Sequence, residues 1–97
     1  MAYKLQIEPL AKADIQEQIN YYNAKVKGLG KKFHTEVKAS LKAIQRSPFF
    51  QVRYDDVHCL PLKKYPAMIH YTINETTKTI IVNLVMSTHK DSKLSNL

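Results

Sequence analysis

Hydrophobic and polar residues alternate at the start of the chain, and a helical period then replaces the alternation. Residues 3–8, YKLQIE, place their apolar side chains on one side, which is typical of a half-buried strand. Pro9 ends this strand. From Leu10 to Lys27 the apolar residues recur every three or four positions, which predicts an amphipathic helix. Its predicted buried stripe is Ala11, Ile15, Ile19, Tyr22 and Val26.

A second helical pattern follows after the residues KGLG, which contain the only two glycines of the chain. Gly28 and Gly30 suit a helix stop and a tight reversal, so the two helices are expected to form an antiparallel hairpin. Pro48 ends the second helix because it lacks an amide donor and disfavours helical backbone at Ser47. The predicted buried stripe of this helix is Phe33, Val37, Leu41 and Ile44.

After Pro48 the period returns to two, and the chain reads as a series of short strands. The polar stretch NETTK has the length of a hairpin loop, so the last two strands are expected to pair antiparallel. We therefore predict one α+β domain over residues 1–97, with an N-terminal strand, a helical hairpin and an antiparallel meander of three to four strands. The helices should pack on one sheet face. The predicted meander strands are FFQVRY, VHCLPLK, AMIHYTI and TIIVNLVMS.

The two faces of the later strands differ in their predicted environment. Ile69, Tyr71 and Ile73 should face the helices, whereas Met68, His70 and Thr72 should face away and contribute to a shallow basic surface. In TIIVNLVMS both faces are apolar except at Asn83, which predicts a central strand covered on both sides.

Charge and cysteine content limit the functional classes. Fifteen Lys and Arg against eight Asp and Glu give a formal charge of +7, which favours nucleic acid or an acidic protein as partner. The alternative is a solvated lysine surface that only aids solubility. Cys59 is the only cysteine, and no metal-ligand spacing or cofactor motif is present. With no apolar run long enough for a membrane span, a cytoplasmic protein is expected.

Candidate chemistry is concentrated in basic residues and histidines near the sheet. Lys63 and Lys64 lie in a predicted turn between Pro61 and Pro66. A group of such cations can neutralise a phosphate, and a histidine can transfer protons during RNA cleavage. Taken singly, each histidine is more often structural, and lysines at turns usually protect sheet edges. The further candidates are Arg53, His58, His70, His89 and Lys90, with Lys31, Lys38 and Lys42 as a separate basic stripe on the second helix.

The order of these features resembles the RelE/ParE superfamily, the toxin halves of bacterial type II toxin–antitoxin modules. The resemblance covers nearly all of the chain. It is carried by AKADIQEQINYYNAKVKGLGKKF with its YY pair and GLG turn, by SP after the second helix, by LPLKKYPAMIHYTI and by VMSTHKD. It implies a small toxin that a cognate antitoxin neutralises in a toxin–antitoxin hetero-oligomer, which agrees with the positive charge.

Within this superfamily the GLG turn favours the ParE-like branch, whose members inhibit DNA gyrase. Met68 falls where RelE-like nucleases commonly have Arg, and Lys90 stands where many members have Arg. Lysine cannot reproduce the arginine fork. For a ParE-like plasmid-stabilisation toxin, which is not an enzyme, the expected target-binding or phosphate-binding residues are Lys63, Lys64, His89, Lys90 and Arg53.

Two other functions remain open from the sequence. The resemblance also allows a RelE-like ribosome-dependent mRNA endonuclease, with the ribosome and mRNA as partners. In that case His70 or His89 exchanges protons while Lys63, Lys64 and Lys90 hold phosphate. A non-toxic binding protein on the same fold is the third hypothesis, because a fold does not determine function.

Overall fold

The elements of the structure follow the predicted order of one strand, two helices and a run of strands. The computed structural model describes residues 3–49, 52–54 and 56–87. This order confirms the predicted α+β class. The elements are β1 (Lys4–Ile7), α1 (Pro9–Lys25), α2 (Leu29–Arg46), β2 (Val52–Tyr54), β3 (Val57–Pro61), β4 (Ala67–Asn74) and β5 (Thr79–Ser87).

The strands form a mixed sheet in the order β1-β5-β4-β3-β2. Strands β2 to β5 pair antiparallel with their neighbours, as predicted for the meander. Strand β1 instead pairs parallel to β5, with Lys4 beside Thr79 and Ile7 beside Val82. The alternation of β1 indicates a strand but not the direction of its partner, so this pairing was not predicted. It makes β5 a central strand, as expected.

The glycines make the close helical hairpin possible. Gly28 has φ 85°, a left-handed backbone that other residues adopt only with strain, and it immediately precedes α2. Gly30 lies against α1, where a Cβ atom would overlap the carbonyl oxygen of Ile19. Its amide also donates to Oδ1 of Asn23 over 2.8 Å. The predicted reversal is therefore confirmed, and Gly30 has the additional role of admitting close helix contact.

Helix α1 differs from its predicted extent and stripe. It begins at Pro9 and ends at Lys25, so Val26 is the C-cap residue and is 58% exposed. The prediction that Val26 belongs to the buried stripe is wrong, because the helix ends before the residue can turn towards the sheet. Gln18 is buried in the stripe instead. No helix in the described part of the chain combines the length and apolar composition that a membrane crossing requires.

The apolar core lies between the two helices and one face of the sheet. Helix α2 buries its predicted stripe of Phe33, Val37, Leu41 and Ile44. Ile69 and Tyr71 of β4 face the same core, which confirms their predicted orientation. The hydroxyl of Tyr71 donates to the carbonyl oxygen of Pro48 over 2.8 Å, so this buried polar group also connects β4 to the end of α2.

Strand β5 is not covered on both sides, contrary to the expectation, and it contains a bulge that changes which of its side chains face the core. His70 is paired with Leu84, but the next residue, Tyr71, is paired with Val82, so Asn83 is the extra residue. Val82 and Val85 can therefore both face the core although they are three positions apart. On the outer sheet face, which is turned away from the helices, coverage is incomplete. Met86 is 40% exposed there.

Beyond the end of β1, polar side chains of α1 bind the backbone of β5. The amide of Val85 donates to Oδ2 of Asp14 over 3.0 Å. The carbonyl oxygen of Val85 accepts a 2.8 Å hydrogen bond from Nε2 of buried Gln18. These two side chains satisfy backbone groups that β1, which ends at Ile7, does not reach. Gln18 is therefore buried because its side chain binds the backbone of Val85, and not because it is apolar.

Candidate functional site

A basic groove lies between α2 and the loop that joins β3 to β4. We call residues 62–66 the basic loop, because its exposed residues include Lys63 and Lys64. The groove has a volume of about 700 Å³ and is open to solvent. It is lined by Lys32, Thr35, Glu36, Ala39, Ser40 and Ala43 of α2, and by Leu60, Pro61, Lys63, Lys64 and Tyr65 from β3 and the basic loop.

Helix α2 presents three different faces. The core stripe is buried, and the groove face carries small side chains at Ala39 and Ala43, which leave room for a partner to approach. Both faces follow from the helical period of 3.6 residues. The predicted basic stripe is exposed on the third face and does not line the groove. Its members are Lys31, Lys38 and Lys42.

Tyr65 anchors the basic loop in the core. Its ring lies 5.2 Å from the ring of Tyr22 and 5.4 Å from that of Phe33, measured between centroids. Burial raises the pKa of Tyr22 above its usual value, and the phenols of Tyr21 and Tyr65 add to the shift. The loop ends are tied by a hydrogen bond from the Leu62 amide to the Ala67 carbonyl oxygen over 2.9 Å.

Glu36 anchors the same loop from the groove side. One carboxylate oxygen, Oε2, accepts hydrogen bonds from the backbone amides of Lys63 at 2.7 Å and Lys64 at 2.9 Å. Hydrogen bonds to an ionised carboxylate are stronger than those between neutral groups. The loop that carries the two lysines is therefore attached to both helices, through Tyr65 to α1 and α2 and through Glu36 to α2.

The groove combines an apolar floor with a basic rim. Lys32 on the helix side and Lys63 and Lys64 on the loop side are all exposed, so their ammonium groups can meet an anionic partner. Leu60 and Tyr65 supply apolar surface between them. This combination fits an amphipathic segment with acidic residues, because the apolar side can be buried while its carboxylates meet the lysines.

The backbone of Arg53 lies away from this groove. Strand β2, which contains Arg53, pairs with the beginning of β3, since Val52 lies opposite His58. The basic loop follows the other end of β3, about 15 Å away at 3.3 Å for each strand residue. The side chain of Arg53 is not among the described parts of the structure. His89 and Lys90, the two other predicted site residues, also lie outside the described residues.

The two remaining histidine candidates lie away from the groove lysines. His58 stacks on Tyr71 with 5.3 Å between ring centroids. His70 is only 5% exposed, and its Nδ1 atom lies 3.5 Å from Sγ of Cys59 on the neighbouring strand. His70 is therefore buried and not presented to solvent on the outer sheet face, where Pro61, Met68 and Met86 align across β3, β4 and β5.

Two charged groove residues were missed from the sequence, namely Lys32 and Glu36. Lys32 differs from the predicted stripe lysines because it is turned towards the groove face of α2. Glu36 gives no local signal, since its partners are 27 and 28 positions further along the chain. The helical period places both on the non-core side of α2, but only the packed loop shows that they share one groove.

Known proteins resemble this chain in structure and not in sequence. No family model matches the sequence, and no curated protein matches it at a significant level. A chain of the chromosomal ParDE toxin–antitoxin system from P. aeruginosa superposes with a TM-score of 0.79 and 15% identity, over 90% of this chain and 97% of that chain. The chain has the RelE/ParE toxin fold.

Two E. coli structures support the same fold. A chain of the intact RelBE toxin–antitoxin complex has a TM-score of 0.69 and 18% identity, over 89% of this chain and 96% of that chain. The isolated RelE toxin has a TM-score of 0.67 and 15% identity, over 99% of this chain and the whole of RelE. The ParDE and RelBE systems thus both contain chains similar to this one over most of its length, so the fold does not distinguish between them.

Proposed function

We propose that this chain is the toxin component of a type II toxin–antitoxin module, of the ParE-like, plasmid-stabilising kind. It acts in the cytoplasm by binding DNA gyrase, and a cognate antitoxin neutralises it in a hetero-oligomer. The observation that carries the proposal is the basic groove on a RelE/ParE fold, in which Lys63 and Lys64 are presented by a loop anchored to α2. Both expected partners are then recognised through protein–protein contacts.

The residues of the outer sheet face support binding in preference to RNA cleavage. In the nuclease hypothesis His70 or His89 exchanges protons with substrate. Of these, His70 is 5% exposed and packed beside Cys59, and His89 lies outside the described residues. Met68, which stands where RelE-like nucleases commonly have Arg, offers no charge to a phosphate. A general acid or base has to reach the reacting group, so a buried histidine is poorly placed for this role.

A gyrase cleavage assay tests the proposed target. The purified chain is incubated with DNA gyrase, ATP and supercoiled plasmid, and protein-linked DNA breaks are measured. We expect breaks that require the chain, and we expect them to be lost in the double variant Lys63→Ala/Lys64→Ala. The matched control is Lys31→Ala/Lys38→Ala, which removes the same charge from another face of α2. Equal loss in both double variants would contradict a specific role for the loop.

Co-expression tests the proposed antitoxin. The reading frame next to the gene for this chain is expected to encode an acidic protein that restores growth and copurifies with the chain. Copurification of a neighbour without relief of growth arrest would contradict neutralisation by binding. Normal growth during strong expression of the folded chain alone would remove the toxin proposal itself.

The alternative function is a RelE-like ribosome-dependent mRNA endonuclease. The observation in its favour is the full-length similarity to the isolated E. coli RelE toxin. In this hypothesis His70 or His89 exchanges protons, and Lys63, Lys64 and Lys90 bind phosphate. Codon-linked mRNA cuts in a translating extract, with no gyrase-dependent DNA breaks, would select this alternative over gyrase binding.

A further inference from the structure

The contact between Glu36 and the basic loop uses a single atom on the helix side. Oε2 of Glu36 accepts from two consecutive backbone amides, those of Lys63 and Lys64. Consecutive amides that point towards one place form a small concavity for an anion. Glu36 occupies this concavity with a carboxylate from within the chain, and the lysine side chains of the same two residues remain exposed.

Glu36 has little part in the apolar core. It is half-buried at the groove and is not a member of the α2 stripe that packs against the sheet. The loop it binds also has the independent anchor at Tyr65. Loss of the carboxylate would therefore release the backbone at residues 63 and 64 without removing a core contact. Its main consequence is for the direction in which the two lysines point.

We propose that Glu36 is a positioning residue, whose carboxylate holds the amides of Lys63 and Lys64 so that both ammonium groups face the partner together. The inference rests on the proposed function, because it assumes that these lysines bind the target. It adds a residue of opposite charge to the basic site. A negatively charged side chain at a basic rim weakens attraction for an acidic partner in simple Coulomb terms, so its benefit here is geometric.

The sign of the charge change distinguishes positioning from electrostatics. Glu36→Ala changes the formal charge from +7 to +8, because one carboxylate is removed. If Lys63 and Lys64 act only as charges, this variant should inhibit growth at least as strongly as the original chain. If Glu36 positions them, the variant should lose growth arrest although both lysines remain. Glu17→Ala is the matched control, since it makes the same charge change at an exposed position on α1.

The conservative substitution tests the geometry. Both hydrogen bonds end on one oxygen, so the amide oxygen of Gln in Glu36→Gln can accept both, whereas Glu36→Asp lacks one methylene group of reach. We expect Glu36→Gln to retain most of the growth arrest and Glu36→Asp to lose it. Equal activity of the Gln, Asp and Ala variants would overturn the positioning role.

Nuclear magnetic resonance of the whole chain, with no target present, detects the contact between Glu36 and the loop amides directly. In Glu36→Ala the amide proton signals of Lys63 and Lys64 should move upfield, because a short hydrogen bond to a carboxylate is lost, and Glu36→Gln should restore part of the shift. Adding sodium acetate to Glu36→Ala should move both signals back by filling the concavity. Unchanged Lys63 and Lys64 signals in Glu36→Ala would overturn the inference.

Growth arrest by two variants separates failure of this inference from failure of the proposed function. Full growth arrest by Glu36→Ala, together with its loss in Lys63→Ala/Lys64→Ala, overturns positioning and leaves the proposed site intact. Full growth arrest by Lys63→Ala/Lys64→Ala would show that the loop is not part of the target site. The positioning role of Glu36 would then be wrong as well. Loss of arrest in both, with normal activity of Glu17→Ala, supports both statements.

Discussion

Each helix binds backbone groups of another element through polar side chains, α1 those of a strand and α2 those of a loop, but the two contacts differ in burial. On α1, Asp14 and buried Gln18 bind the amide and carbonyl oxygen of Val85 within the packed structure. On α2, half-buried Glu36 binds two amides of the basic loop beside solvent. Removing a buried partner leaves a polar group without water, whereas water can replace an exposed one. The first contact should therefore determine stability and the second should determine the shape of the site.

The largest effect on stability is expected from removing the α1 contact. The double variant Asp14→Ala/Gln18→Leu leaves both backbone groups of Val85 without their side-chain partners, which should lower the free energy of unfolding by about 2–4 kcal/mol. Urea denaturation followed by circular dichroism measures this change. The matched variant Gln16→Leu alters an exposed residue of the same helix and should change stability by less than about 0.5 kcal/mol. Similar values for the two would remove the distinction between buried and exposed contacts.

An intermediate effect is expected at Tyr65, which joins the core to the basic loop. Tyr65→Ala removes a ring that contacts Tyr22 and Phe33, and because the ring is half-buried the loss should be about 2 kcal/mol. Growth arrest should fall as well, since the loop loses its apolar anchor. Tyr65→Phe keeps the ring and serves as control. A stable Tyr65→Ala protein with full growth arrest would show that the ring anchors neither the core nor the loop.

A small stability effect is expected for Glu36→Ala, in contrast to its effect on function. Water can reach the freed amides of Lys63 and Lys64, so the free energy of unfolding should fall by less than about 1 kcal/mol. Thermal melting of the variant beside Glu17→Ala measures this difference. A loss as large as that of the α1 double variant would place Glu36 among the residues that hold the fold, and its effect on growth would then follow from unfolding.

The smallest effect concerns alkaline pH. The pKa of Tyr22 is raised above the ordinary tyrosine value of 10.0, mainly by burial, so the folded chain retains the phenol proton at a pH where the unfolded chain loses it. This contribution to stability is complete below pH 10 and is lost as the pH rises through the folded pKa. Urea midpoints measured between pH 9 and 11 should fall less steeply for Tyr22→Phe. Identical slopes would exclude Tyr22 as the titrating group.

Much of the scaffold was predictable because its signals are local. The α2 stripe, the glycine reversal and the helix-facing side of β4 follow from periodicity and from the backbone preferences of Gly and Pro. The error at Val26 arose because apolar spacing alone does not show where a helix ends. The coverage of β5 was misjudged because a bulge at Asn83 changes which side chains face the core. The sequence predicts Lys63 and Lys64 as a pair of lysines in a turn, but it does not predict the groove that they line with α2.

By itself the sequence determined the order of elements, the buried face and the lysine stripe of α2, and the concentration of positive charge at the basic loop, since each depends on neighbouring residues or on composition. Only the tertiary structure decided that β1 pairs parallel to β5, that Gln18 binds Val85 and that Glu36 binds the loop amides. These contacts join residues far apart in the chain. Their polar side chains carry no periodic signal, and their partners are backbone groups that every residue offers, so packing of the helices on the sheet selects which groups meet.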